Sequence, residues 1–236
     1  MTLNDLHSWL LCVPRYPRGF AIRTPPSRQP AQLLHLYEFE GCPFCRKVRE
    51  VLSELDIAYV DHPCARGSDQ RQEVVRRGGK AMFPYLHDPN TGRELYESED
   101  IIEYLYATYA GAPRTAFDRL MKGPNTLFSI LTSVLRGRGK RVIAGCENRQ
   151  QPAQLLELYS FDISPYCRKV REGLCELNLS HVVHNIAKRS HRRPGLLARG
   201  GKMMVPYLVD PNHGVEMYES EDILRYLRDT YGPKAR

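Results

Sequence analysis

Residues 33–39 form a short apolar and aromatic run of the kind that fills a buried strand. A turn at Gly41-Cys42-Pro43 follows, with the proline suited to the first turn of a helix. Over residues 44–55, Val48, Leu52 and Leu55 recur at helical spacing with charged residues between them, which predicts an amphipathic helix. Residues 57–62 return to strand character, and residues 69–77 fit a second helix stopped by Gly78-Gly79. Residues 83–87 read as a strand, residues 88–92 have turn chemistry, and residues 94–97 form the returning strand. Ser98-Glu99-Asp100 is placed to cap a last helix over residues 101–109, with Ile101, Leu105 and Tyr109 on one face. The order βαβαββα predicts a parallel βαβ unit joined to an antiparallel hairpin, a mixed sheet with helices on both faces.

The same pattern occurs twice. Shifted by 122 residues, residues 29–110 fall on 151–232 without a gap, and 47 of the 82 paired positions are identical. Two copies are too few for a solenoid, so each is read as a self-contained domain. The expected organisation is an N-terminal arm (1–30), a first domain (31–111), a linker with a short helix and a basic segment (112–152), and a second domain (153–233). Arm and linker share an order, apolar and then basic, with almost no identities.

An apolar content of 42% and a charged content of 26% are those of an ordinary globular protein, and no stretch reaches the roughly 20 apolar residues of a membrane helix. Seven cysteines at irregular spacing argue against a disulfide scaffold and for a reducing compartment, so a cytoplasmic location is expected. Asp5 precedes the apolar run at 10–13 where an export signal would carry a cation, while four arginines and no acid in 15–28 leave an organellar transit segment open. The net charge of +7 is spread over both halves, which reads as a solvated surface attractive to small anions, with no nucleic-acid partner.

Cys42-Pro43-Phe44-Cys45 is the candidate for chemistry. Two cysteines three apart at a helix start can close a small disulfide, and the first gains from the helix dipole and from Arg46 and Lys47, which favour an exposed thiolate. Half of a zinc site is the competing reading, but no second Cys-x-x-Cys pair exists, so no metal site is assigned. In the second copy the motif is Ser164-Pro165-Tyr166-Cys167.

The element order, the Cys-Pro-Phe-Cys site and the prolines of Met82-Phe83-Pro84-Tyr85 and Met204-Val205-Pro206-Tyr207 resemble the thioredoxin fold, specifically glutaredoxins and the N-terminal domain of glutathione S-transferases. The resemblance covers both modules and implies an α/β fold of two tandem thioredoxin-like domains. About 40 residues between them are too few for the all-helical C-terminal domain of a glutathione transferase. It also implies that Cys42 is the nucleophile and Cys45 the resolving thiol, and that Phe83 and Val205 present backbone to glutathione ahead of a cis proline, Pro84 or Pro206. Glu97-Ser98 and Glu219-Ser220 would take its γ-glutamyl end, and Lys80 and Lys202 sit where they can reach its glycyl carboxylate.

The resulting expectation is a glutathione-dependent thiol-disulfide oxidoreductase of glutaredoxin type, with glutathione as co-substrate and disulfides or glutathionylated thiols as substrates. Two alternatives stay open: a transferase-like enzyme working through Ser164 or Cys42, and a non-catalytic glutathione-binding or iron–sulfur-carrying module. The apolar run at 127–135 suits either a helix covering one module or a homodimer contact.

Overall fold

Two copies of the βαβαββα unit share one continuous sheet in the computed structural model, which describes residues 3–12, 16, 18–23, 25–120 and 122–233. The first copy comprises β1 (Leu34–Glu38), α2 (Pro43–Glu54), β2 (Tyr59–Pro63), α3 (Gln70–Gly78), β3 (Tyr85–Asp88), β4 (Arg93–Leu95) and α4 (Ser98–Leu105), the last continued by a π-helical turn at Tyr106–Ala110. The second repeats it as β5 (Leu156–Ser160), α7 (Pro165–Glu176), β6 (His181–Asn185), α8 (Arg193–Gly200), β7 (Tyr207–Asp210), β8 (Val215–Tyr218) and α9 (Ser220–Tyr231). Ahead of the first copy lies α1 (Leu3–Cys12), and between the copies lie α5 (Ala116–Leu120) and α6 (Lys122–Arg136), two helices where the sequence suggested one short one.

Within each copy the first two strands run parallel and the hairpin strands antiparallel, as the element order required. The copies join edge to edge through β2 and β6, antiparallel, with Val60 opposite Val182 and Asp61 opposite His181. The sheet order is therefore β4-β3-β1-β2-β6-β5-β7-β8, and pairing the two β2-type edges removes them from solvent. Leu34, Leu36, Val48, Leu52, Ile101 and Leu105 fill the first core, and Leu156, Leu158, Val170, Leu174, Ile223 and Leu227 fill the second.

The helices after β1 and β5 depart from the amphipathic expectation. Arg46, Lys47, Arg49 and Glu50 of α2 are buried together with its apolar stripe, and so are their counterparts in α7. The charged faces meet across the seam between copies. Arg49 Nε donates to Asp162 at 2.9 Å, and Arg171 Nε donates to Glu40 at 2.9 Å, each reaching into the other copy. Arg49 also bonds Glu38 and lies 3.1 Å from Glu40. Burial pushes the Glu40 and Asp162 carboxyls up, but the facing arginines outweigh it and hold both below the usual carboxylate range.

Long-range packing crosses over at the arms. The helix α1 lies against α7 of the second copy, and α6 lies against α2 of the first. In α6, Ser129, Thr132, Ser133 and Arg136 face inward while Leu127, Leu131, Val134 and Leu135 face solvent, the reverse of a globular surface helix. Two of the inward hydroxyls are used: Ser129 Oγ donates to Pro43 O at 2.7 Å, and Thr132 Oγ1 accepts from Arg46.

Two expected outcomes test this architecture. Arg171→Ala leaves two buried carboxylates short of a cation and should cost about 3–5 kcal/mol in urea unfolding, whereas breaking the exposed Arg76–Glu73 pair should cost about 1 kcal/mol or less. Second, burial of His181 pushes its pKa down to about 4, against an ordinary value of 6.5. The unfolded chain therefore binds the extra proton between these values, so this contribution is complete above about pH 6.5 and is lost as pH falls toward 4. The unfolding free energy of a His181→Gln variant, measured by urea titration, should fall less steeply over that window, by up to about 1.4 kcal/mol per pH unit.

Candidate functional site

Each copy builds its site from three loops at one end of its sheet. The first is the turn into the helix after the leading strand. Cys42 is the N-cap of α2 in extended conformation, its sulfur accepting the Cys45 N–H at 3.4 Å, with Pro43 in the first helical turn. A hydrogen bond from the Cys45 thiol, aided by the backbone N–H groups of Cys45 and Phe44, outweighs burial and lowers the Cys42 pKa. Burial and the adjacent Cys42 push Cys45 well above an ordinary thiol.

Two details differ from the sequence reading. Arg46 and Lys47 do not serve the thiolate: Arg46 faces Thr132, Glu50 and Asp162, and Lys47 Nζ binds Glu99 at 2.7 Å. Nor is the thiol open, because Cys42 is only 4% exposed. The segment after α6 closes over the turn, with Gly41 N–H donating to Gly139 O at 3.1 Å. A side chain at Gly41 would meet Lys140 and the Arg138 carbonyl, so the close approach requires glycine.

The second loop carries the proline. The Phe83–Pro84 and Val205–Pro206 bonds are both cis, and the N–H groups of Phe83 and Val205 take no backbone partner among the described residues. Phe83 packs edge-on against Phe39 and beneath Arg71.

The third loop is the start of the last helix. Glu97 and Glu219 hold φ of 61° and 66°, a conformation uncommon for non-glycine residues that concentrates at functional sites. They, rather than the serines, are the N-caps, and neither caps with its side chain. Ser98 and Ser220 open the helices, buried, and like Glu97 and Glu219 their side chains make no hydrogen bond or ion pair among the described residues. Two other residues of the repeated Tyr-Glu-Ser-Glu-Asp motif make structural contacts. Glu99 binds Lys47 and Arg114, and Tyr96 donates to Lys80 O at 2.8 Å.

The Gly-Gly-Lys pairs are explained in part by packing. Gly79 and Gly201 end α3 and α8 in the left-handed region, and a side chain at Gly78 or Gly200 would strike the Tyr96 or Tyr218 hydroxyl. Lys80 Nζ lies over the Tyr96 ring, 4.9 Å from its centre, beside the Glu97 turn, while the Lys202 carbonyl accepts from Tyr218.

In the second copy Ser164 replaces the thiol as N-cap, its Oγ accepting the Cys167 N–H at 3.3 Å. Cys167 is fully buried. Val205, Pro206, Glu219 and Ser220 converge with Tyr166 on a cavity of about 190 Å3. Beside it opens a larger cavity of about 650 Å3 that reaches Ser164 and is walled in part by Trp9, Tyr16 and Phe20 of the N-terminal arm. Sequence reasoning missed these arm residues, because nothing local indicates that the arm packs on the distant copy. Among the described residues no group of three or more His, Cys, Asp or Glu is arranged to hold a metal ion, and no helix is long and apolar enough to cross a membrane.

Parts of the chain are similar to known proteins. A glutathione S-transferase-like protein of Aspergillus terreus is 31% identical over 80 residues, which are 34% of this chain and 35% of that protein. Glutaredoxin 3 of Escherichia coli is 24% identical over 53 residues, 22% of this chain and 64% of its own. The chain thus spans about a third of the fungal relative and just under two thirds of the bacterial one. Among solved structures, a glutathione transferase of Bombyx mori aligns with 40% of this chain and 45% of its own at 25% identity and a TM-score of 0.32. A trimeric glutathione transferase of Leishmania aligns with 85% and 67% at 16% identity and a TM-score of 0.33. The family model for the glutathione S-transferase N-terminal domain matches twice, at residues 36–113 and 158–235, and the chain therefore belongs to that family, carrying its domain in tandem.

Proposed function

We infer that the first copy is a glutathione-dependent thiol-disulfide oxidoreductase site with Cys42 as nucleophile. The observation that carries this reading is the placement of the Cys42 thiol at the N-cap of α2, accepting the Cys45 N–H at 3.4 Å, with a second thiol three residues on, in a glutathione-family domain. Cys42 thiolate attacks a mixed disulfide of glutathione, forms an S–S bond to the glutathionyl sulfur, and releases the substrate as a thiol that takes up one proton. A second glutathione thiolate then attacks that bond, leaving glutathione disulfide and restoring Cys42. Alternatively Cys45 attacks, giving a Cys42–Cys45 disulfide that two glutathiones reduce.

In this reading glutathione pairs its cysteinyl backbone with Phe83 ahead of Pro84. Ser98 and the first N–H groups of α4 receive its γ-glutamyl carboxylate, and Glu97 its ammonium. Lys80, whose Nζ lies over the Tyr96 ring, adds positive charge for the glycyl carboxylate. Because Cys42 is covered by α6 and the segment behind it, the substrates it favours are small disulfides and extended glutathionylated segments rather than folded surfaces.

Glutathione-coupled reduction of a small mixed disulfide tests the reading. Cys42→Ser should abolish turnover and Cys45→Ser should leave a measurable fraction of it; full activity in Cys42→Ser would refute the assignment. Iodoacetamide should label Cys42 before Cys45, and the pH at which the labelling rate falls off should lie below that of an ordinary thiol. A polymer-linked maleimide should react with Cys42 far more slowly than iodoacetamide does.

A further inference from the structure

We propose that the outward faces of α1 and α6 are an interface on which a second copy of this chain seats, giving a symmetric homodimer closed by a bundle of four helices. The proposal goes beyond the reading of Cys42 and requires neither glutathione nor redox chemistry.

Both helices carry their stripes reversed. On α6, Leu127, Phe128, Leu131, Val134 and Leu135 stand 46–66% exposed, at the spacing of one helical stripe. On α1, Leu6, Trp9 and Leu10 stand 39–53% exposed at the same kind of spacing. Polar positions point inward and are held there: Ser8 Oγ donates to Pro165 O at 2.9 Å, Ser129 Oγ donates to Pro43 O at 2.7 Å, and Arg136 Nε donates to Glu172 at 2.7 Å. Rotating either helix to bury its apolar stripe would break these bonds. Because α1 rests on α7, α6 rests on α2, and the two helices touch each other, the outward stripes lie side by side in one layer.

The size of this layer matches a protein partner. With roughly 150–250 Å2 to a large apolar residue, the exposed fractions of these side chains come to on the order of 800 Å2. The largest apolar patch of a typical monomer is about 300–600 Å2, whereas a standard interface takes about 800 Å2 from each partner. The shape suits a copy of the chain itself. Val60 pairs with Val182, its own counterpart at the 122-residue shift, so a local two-fold relates the repeats at the seam, and α6 on α2 answers α1 on α7. Two such layers turned face to face place ridges in grooves, and the four helices then share one core. A lipid surface fits less well. Basic residues follow both helices, but among the described ones Arg136 is taken by Glu172, Arg18 and Arg23 by Glu54 and Asp118, and Arg119 by Glu103. Arg138 and Arg141 stay exposed, short of the cluster of about 4–8 Lys or Arg by which anionic lipid is recognised.

Trp9 is the only tryptophan of the chain and lies on this face, so its emission follows the interface. The full-length chain is examined by sedimentation equilibrium and by Trp9 emission from nanomolar to micromolar concentration. The expected result is a mass of twice 27.2 kDa, with Trp9 emission moving to shorter wavelength over the same concentrations at which the mass rises. Leu127→Glu and Leu131→Glu, at exposed positions that leave the inward bonds untouched, should each raise the dimer dissociation constant at least about a hundredfold, because the symmetry loses each leucine twice. Leu197→Glu, at an equally exposed leucine on α8, should leave the dimer intact. A single chain at every concentration overturns the proposal. So does a dimer that survives both α6 substitutions, that Leu197→Glu also dissolves, or that forms with no Trp9 shift. Single chains that sediment with phosphatidylglycerol vesicles, and no longer do so after Leu131→Glu, would assign the face to lipid and equally overturn it. Circular dichroism identifies a variant that has unfolded, and the wild-type mass and Trp9 shift decide the question without it. None of these readouts depends on Cys42, so they leave the glutathione reading untouched.

Discussion

The exchange of arginine–carboxylate pairs across the seam is the constraint on which both sites depend. Glu40 stands two residues before Cys42, and Asp162 stands two residues before Ser164. Each is bound by an arginine of the opposite copy, Glu40 by Arg171 and Asp162 by Arg49. Neither site loop is therefore held by its own domain alone. Buried ion pairs of this kind gain little net stability over apolar packing, but their geometry is demanding, and it fixes the turn entering each helix. The antiparallel pairing of β2 with β6 provides the frame in which those four charges meet.

Duplication gave two nearly equivalent frames, and one small difference sends them apart. With Gly41 in the first copy, the chain behind α6 can lie directly on the loop and shield Cys42. With Ile163 in the second, the corresponding face stays apolar and roofed by the arm, with a cavity beneath. Both the Cys42 and the Ser164 side chains are buried, but one lies under a closed-down loop and the other beside an apolar cavity, so the two sites are different environments.

Many positions identical in both copies turn out to serve the fold. Asp88 accepts from Tyr104 and Tyr109, Asp210 accepts from Tyr226 and Tyr231 in the same way, and Glu99 and Glu221 anchor Lys47 and Lys169. Identity between copies thus marks the Glu-Ser pair and its structural neighbours alike. What separates them is that the side chains of Glu97, Ser98, Glu219 and Ser220 make no hydrogen bond or ion pair among the described residues, and that two of the four sit in a rarely used backbone conformation.

The sequence alone determined whatever depends on local periodicity and local chemistry: the repeat, the βαβαββα order, the Cys-Pro-Phe-Cys turn with proline inside the helix start, and the proline and Glu-Ser motifs. Strand alternation and helix stripes are set within a few residues, so they can be read there. Only the tertiary structure decided that the charged faces of α2 and α7 are buried, since a charge can leave water only where an opposite charge, here from more than a hundred residues away, meets it. It likewise decided that α1 serves the second copy and α6 the first, that Arg46 and Lys47 are taken up by partners other than the thiolate, and that Trp9, Tyr16 and Phe20 wall a cavity at Ser164. Each of these rests on contacts between distant segments, for which no period or spacing along the chain provides a signal.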